Sequence, residues 1–229
     1  MVTKYWGGLF AVAALFAMAC SDEGLDGPER EAFDAVQRVS LDVEHGEVTV
    51  YASNGVEGAI IDRWISAESD FSQLSQRLSG SELIVDAQCN TSGGCESRYD
   101  LAVEPDTEVE IRMATGDANI YRLRGGLDVA IDEGELRTNR LESPFVFAAL
   151  HDGSSRLHFD EPPGELRLTV GETASVTVVI PNGRYRCDFD IEAESIGADD
   201  LDCHGQVGEV LRVLPSDASV RFVVTSSDR

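Results

Sequence analysis

The chain has 229 residues, with 42 Asp and Glu against 18 Lys and Arg, for a formal net charge of −24. A surface this acidic repels phosphate backbones and anionic headgroups, which excludes a nucleic-acid-binding protein. Solubility and self-repulsion among crowded copies are the plain reading of the acidity; a divalent cation or a cationic polymer as ligand is the specific one.

In chain order, Lys4 precedes an apolar run from Gly7 to Met18, followed by Ala19 and Cys20. The run falls short of the roughly 20 apolar residues that cross a bilayer. Acidic residues (Asp22, Glu23, Asp26, Glu29, Glu31) follow at once, so residues 1–19 read as a signal peptide. Ala17-Met18-Ala19-Cys20 resembles the lipobox of bacterial lipoproteins, with Ala17 where Leu is commoner. That resemblance implies cleavage before Cys20 and acylation of its sulfur and amine, with palmitate-type chains. Two or more such chains hold a protein firmly to a membrane. Ser21, where Asp would signal inner-membrane retention, points to the outer membrane. The alternative is an ordinary secretory cut that leaves Cys20 free. Lys4 is the only lysine, so the exported chain relies on arginine alone as its strong base.

Residues 20–34 are acidic, contain Gly and Pro, and read as a tether beyond the lipidated cysteine. Residues 35–229 suffice for a single domain with its own core. Alternation dominates them: Val39, Leu41 and Val43 lead to His45-Gly46, and Val48 and Val50 resume after it, the period of half-buried strands. Residues 56–65 and 82–87 are further strand candidates, with Trp64 in a core-packing role. Phe71, Leu74 and Leu78 have helical spacing, which predicts a short helix over 69–80.

Four cysteines besides Cys20 form an even set in an exported chain, which points to disulfides with three connectivities open. Local pairing, Cys89–Cys95 and Cys187–Cys203, is preferred, because Asn90–Gly94 is a loop that a bridge would close and the second bridge would staple the last strands. A metal site is the alternative, but neither spacing matches a C-x₂-C ligand pair.

From residue 107 a weak repeat runs through four units, with Gly116, Gly134, Gly153 and Gly171 spaced by 18, 19 and 18 residues. A regular strand–turn–strand period lets units stack and share one core. The expected fold is therefore all-β, with stacked repeats as in a β-solenoid or β-helix; a β-sandwich of hairpins is the alternative.

Tyr99–Thr107, then Val109, Ile111, Thr115-Gly116-Asp117, Ile120, Leu123, Gly126-Leu127 and Val129, resemble the bacterial putative adhesin domain, a β-repeat family of envelope proteins. Val179–Gly183 repeats its proline-turn element, and His45-Gly46-Glu47-Val48 looks like an earlier copy of its glycine turn. The resemblance covers most of residues 38–190 and implies a β-helix-like fold and surface adhesion. It supplies no catalytic residues.

Chemical candidates are few. His45, His151, His158 and His204 form no helical metal pair, and no G-x-S-x-G is present. Asp188, Asp190, Glu192 and Glu194 alternate with apolar residues, so period two places all four on one strand face, where they could hold Ca²⁺. The competing reading is a solvated face whose charges block edge pairing. No other cofactor is expected. Together these features predict a non-enzymatic, lipid-anchored binding or adhesion module whose partner is an envelope protein or an extracellular surface. The alternatives are a glycan-binding or glycan-cleaving β-helix using surface carboxylates, and a structural or assembly lipoprotein.

Overall fold

The computed structural model describes residues 28–66, 69–90, 95–189, 196–197, 201–203, 209–214 and 219–225. Cys20 and its tether up to Gly27 lie outside them. Among the described residues every regular element is a strand: β1 (Glu29–Phe33), β2 (Arg38–Ala52), β3 (Ala59–Ile65), β4 (Phe71–Ser79), β5 (Glu82–Cys89), β6 (Ser97–Val103) and β7 (Glu108–Tyr121). They continue with β8 (Leu127–Asn139), β9 (Phe145–His158), β10 (Glu165–Pro181), β11 (Tyr185–Phe189), β12 (Ile196–Gly197), β13 (Glu209–Leu214) and β14 (Ser219–Thr225).

The long strands pair parallel and in register. Val109 of β7 lies opposite Val39 of β2 on one side and Leu127 of β8 on the other. Leu127 in turn faces Val146 of β9, which faces Leu166 of β10. Chain geometry then dictates the shape. A straight 14-residue β7 would extend about 43 Å, yet the link from Tyr121 to Leu127 can reach back only about 20 Å. Each long strand therefore doubles back near its middle, giving two limbs that face each other.

Burial marks the bend. In β7 Val109, Ile111 and Met113 are buried, and then Ala118 and Ile120, so the alternation breaks by a five-residue step. The same step separates Val43 from Val48, Ile131 from Leu136 and Leu150 from Ser155. Within it sit Gly46, Gly116, Gly134 and Gly153, aligned in one ladder. Their φ values lie between +112° and +149°, and a Cβ on any of the last three would fall on the carbonyl of the glycine before it in the ladder. Only glycine tolerates both conditions.

The fourth repeat glycine departs from expectation. Gly153 pairs with Ala174 rather than with Gly171, because the register shifts between Val170 and Thr173. This bulge adds one residue to the corner of β10, so Gly171 stays in the corner, packed on the His151 carbonyl, while Ala174 takes the place in the ladder.

Chain order and stacking order differ at both ends. β2 is flanked by β7 on one side; on its other side β5 pairs its first limb and β6 its second. The bridged Cys89 and Cys95 thus flank the position where β2 passes from one partner strand to the other. At the far end β13 and β14 pair the two limbs of β10, and β11 and β12 pair outside them. The inward residues form one continuous core from Leu83 through Leu41, Ile111, Val129 and Leu168 to Val213.

The expected helix over 69–80 is instead strand β4, antiparallel to β5. A helix that short is marginal alone, whereas the edge of β5 offers backbone partners and cross-strand contacts. Arg77 and Ser75 both donate to Asp86, at 2.7 and 3.0 Å. Leu74 and Leu78 lie opposite Ala87 and Leu83 and remain 39% and 41% exposed, while Phe71 packs against the core. The fold is thus all-β, and its sheet is mixed and does not close, which a two-layered sandwich accommodates.

Candidate functional site

The expected disulfides both form: Cys89–Cys95, with Cα atoms 5.8 Å apart, and Cys187–Cys203, at 5.5 Å. Of the acidic set, Asp188 lies on β11, the outermost strand beside β13, and accepts a hydrogen bond from Arg212 at 3.1 Å. The side chains of Asp190, Glu192 and Glu194 lie outside the described residues, as do Cys20 and His204. Trp64, expected in the core, is only half-buried, with the Arg98 guanidinium 5.0 Å above its ring.

Sequence reasoning missed one mixed cluster. Glu44, His45 and Cys89 present their ligand atoms within 4.8 Å of one another. Cys89 is committed to its disulfide, however, and the Glu44 carboxylate accepts the Cys89 backbone N–H at 2.6 Å. The His45 Nε2, buried and without a hydrogen-bond partner, lies 3.9 Å from Glu44. With the sulfur oxidised the set retains two usable ligands, short of the three or four that hold zinc.

Arginine placement follows the acidity. Facing strands would repel one another were cations not set between them. Arg112 engages Asp128 at 2.9 Å and Glu110 at 3.2 Å, and Arg38 pairs with Glu108. Exposed pairs of this kind contribute about 0–1 kcal/mol each. They also occupy the carboxylates of a depression of about 250 Å³ beside Phe145 and Phe147. Glu108, Glu110 and Asp128 are all engaged by arginine there, so none serves as a free base.

A different chemistry appears where the second limbs end. Tyr51 and Tyr121, opposite each other on β2 and β7, stack with ring centroids 4.5 Å apart and planes 8° from parallel. Tyr51 is 51% exposed. Partial burial, then the neighbouring phenol of Tyr121, raises its pKa above the ordinary value, while the charge of Arg122 pulls the other way.

Directly beyond Tyr121 the chain turns at Arg122 with φ +60°, and one layer on it turns at Arg140 with φ +61°. The Arg122 backbone N–H donates to the Asn139 carbonyl at 2.9 Å, tying the two turns together. Arg122, Arg124 and Arg140 line a depression of about 420 Å³ with Ser53, Asn54 and Glu142. Arg124 pairs with Asp106 at 3.0 Å and Arg140 with Asp160 at 2.8 Å. Arg122 has no ion-pair partner among the described residues. One layer further out, His158 Nδ1 lies 3.2 Å from the Asn139 side chain.

This corner joins an aromatic platform to three guanidinium groups, which suits binding of a ligand with an apolar face and an anionic group. Its parts are 70 residues apart in sequence, and neither tyrosine carries a motif. Two arginines at a left-handed position would have been a signal only once the turns were known.

The chain is thus an all-β protein with a tyrosine stack and an arginine-lined depression at one corner. No family model and no curated protein matches it. Among solved structures it is similar to a putative cell adhesion protein from Clostridium sporogenes, over 87% of this chain and 97% of that one, at a TM-score of 0.43 and 7% identity. It is similar too to a putative adhesin from Bacteroides fragilis (90% and 96%, TM-score 0.41, 6% identity) and to a putative lipid binding protein from Parabacteroides distasonis (88% and 98%, TM-score 0.30, 8% identity). Likeness this distant carries no function, so the reading below rests on the chain's own residues.

Proposed function

We propose that this chain is a non-enzymatic binding module of the bacterial cell envelope, a short β-solenoid held at the outer membrane through acylated Cys20. It engages its ligand at the Tyr51–Tyr121 corner. The observation that carries the reading is the half-exposed tyrosine stack beside an arginine-lined depression, on a chain most of whose other described arginines pair with its own carboxylates. Two stacked rings held by strand register are rigid, so little conformational entropy is lost when a ligand docks on them. Glu29–Phe33, expected to belong to the tether, form β1 against β3, so only the acidic stretch between Cys20 and β1 serves to hold the domain away from the membrane surface.

Protease shaving of intact and lysed cells, for the wild type and for Cys20→Ala, tests the address. Cleavage on intact cells that requires Cys20 supports a displayed module, whereas protection until lysis redirects the search to a partner inside the envelope. Retention of intact cells on a glycoprotein-coated surface tests the site. Tyr51→Ala/Tyr121→Ala should lower it at equal surface display; unchanged retention removes the corner from consideration.

A further inference from the structure

Glu44, His45 and Cys89 bring a carboxylate oxygen, a ring nitrogen and a sulfur within 4.8 Å of one another, the one such group of three among the described residues. Strand pairing fixes their meeting. β2 leaves β5 after the Val43–Ala87 pair and joins β6 at the Gly46–Ser97 pair, so Glu44 and His45 stand at the passage between them. The Cys89–Cys95 bridge lies beside that passage, and Cys95 is buried.

The hydrogen bonding of the group is uneven. Glu44 spends Oε2 on the Cys89 backbone N–H, at 2.6 Å, while its Oε1 is the atom nearer His45. A carboxylate oriented by such an outer contact is a pre-set metal ligand. The His45 Nε2 lies 3.9 Å from Oε1, buried and without a hydrogen-bond partner. A buried nitrogen in that state is costly, and a metal ion supplies the missing partner.

In the oxidised protein the sulfur is unavailable. Reduction changes the donor set. A dithiol passes two electrons and two protons to the bridge, which opens to two thiols, and the dithiol closes to its own disulfide. On coordination each thiol releases its proton to solvent. Two thiolates, one imidazole nitrogen and one carboxylate oxygen then make four donors. Such a set selects zinc over calcium or magnesium, which take oxygen ligands. Ligands of tetrahedral zinc stand about 3.3–3.8 Å from one another. Atoms already within 4.8 Å reach that spacing by shifts of about 1 Å, within reach of side-chain torsions. The net charge of −24 further concentrates divalent cations at the surface.

We infer that Glu44, His45, Cys89 and Cys95 form a zinc site that the disulfide closes and reduction by a dithiol opens. The passage of β2 between its partners is thus stapled in either state, by a sulfur–sulfur bond or by a metal ion. Tyr51 lies near the end of β2 and His45 at its bend, so this inference does not rest on the binding-module reading.

The test uses the full chain in detergent micelles and titrates it with Co²⁺, a spectroscopic stand-in for Zn²⁺. One sample is oxidised; the other is reduced with dithiothreitol, which is then removed under nitrogen. The reduced chain should develop a sulfur-to-cobalt charge-transfer band and tetrahedral ligand-field bands, abolished by Zn²⁺ and untouched by Ca²⁺. Zn²⁺ should raise the melting temperature of the reduced chain and leave that of the oxidised chain unchanged. Cys89→Ser/Cys95→Ser, which retains Cys187 and Cys203, should lose the site. His45→Ala and Glu44→Gln should each weaken cobalt binding to the reduced chain by about tenfold or more. No cobalt spectrum after reduction, an equal spectrum without reduction, or binding indifferent to both substitutions overturns the inference. A reduced chain that loses its strand signal in circular dichroism and does not regain it with Zn²⁺ overturns it too. Should His45→Ala fail to fold, Glu44→Gln, which keeps the side-chain shape, decides the matter alone.

Discussion

Replacing Gly134 by alanine should be among the most damaging single-methyl additions in this protein. Gly134 has φ +147°, where an L side chain is strained by about 1–3 kcal/mol. Its new Cβ would fall on the Gly116 carbonyl oxygen, far inside the roughly 3.5 Å at which non-bonded atoms rest. The backbones of β7 and β8 must separate there, disturbing one or two ladder hydrogen bonds at about 1 kcal/mol each. The sum is about 2–5 kcal/mol. At about 2–4 °C per kcal/mol for a domain of this size, the melting temperature should fall by roughly 10 °C. Two controls separate the causes. Gly80→Ala keeps a strained φ of +66° with nothing within 4 Å, and should cost only about 1 kcal/mol. Gly126→Ala meets only a flexible Glu108 carbon at 4.0 Å and should be close to neutral. Far-UV circular dichroism melts of the three variants are the assay. Gly134→Ala melting within 2 °C of the wild type, or Gly80→Ala costing as much as Gly134→Ala, would refute the close-packed glycine corner.

Burial pushes the Tyr99 phenol up to about 12, against an ordinary value near 10. The folded state thus favours the neutral form, so this contribution is intact below pH 10 and is lost as pH rises toward 12, about 3 kcal/mol in all. Urea midpoints should fall steeply across that range and less so in Tyr99→Phe; a flat alkaline limb in the wild type contradicts this. Tyr185, buried, donates to the Pro181 carbonyl at 2.6 Å. Tyr185→Phe leaves that acceptor unmatched and should cost about 1–2 kcal/mol in chemical denaturation. Reducing Cys187–Cys203, which closes 16 residues of sequence, should cost about 3 kcal/mol. The loss should appear first in β11 and β13 by hydrogen exchange, and uniform exchange across β2 to β10 would argue against it.

What the sequence determined by itself was local. Alternation at Val39–Val50 and Val109–Met113 specified strands, because side chains two apart share a face whatever the strand pairs with. The glycine period announced repeating bends, and even the early copy at Gly46 proved to lie in register with Gly116. The short cysteine separations matched the observed bridges because a short loop brings its ends together at low entropic cost.

Tertiary structure alone decided the rest. Phe71–Ser79 carried a helical spacing, but a free strand edge at β5 outweighed that weak intrinsic preference. Gly171 kept the repeat spacing and still lost its place in the glycine ladder to a bulge. The insertion of β2 between β7 and the β5–β6 pair brought Tyr51 onto Tyr121. No local pattern encodes that contact, because it depends on which strands become neighbours. Strand order is settled by burying one continuous core across the whole stack, an energy summed over residues far apart in the chain, whereas periodicity reports only on a residue and its near neighbours.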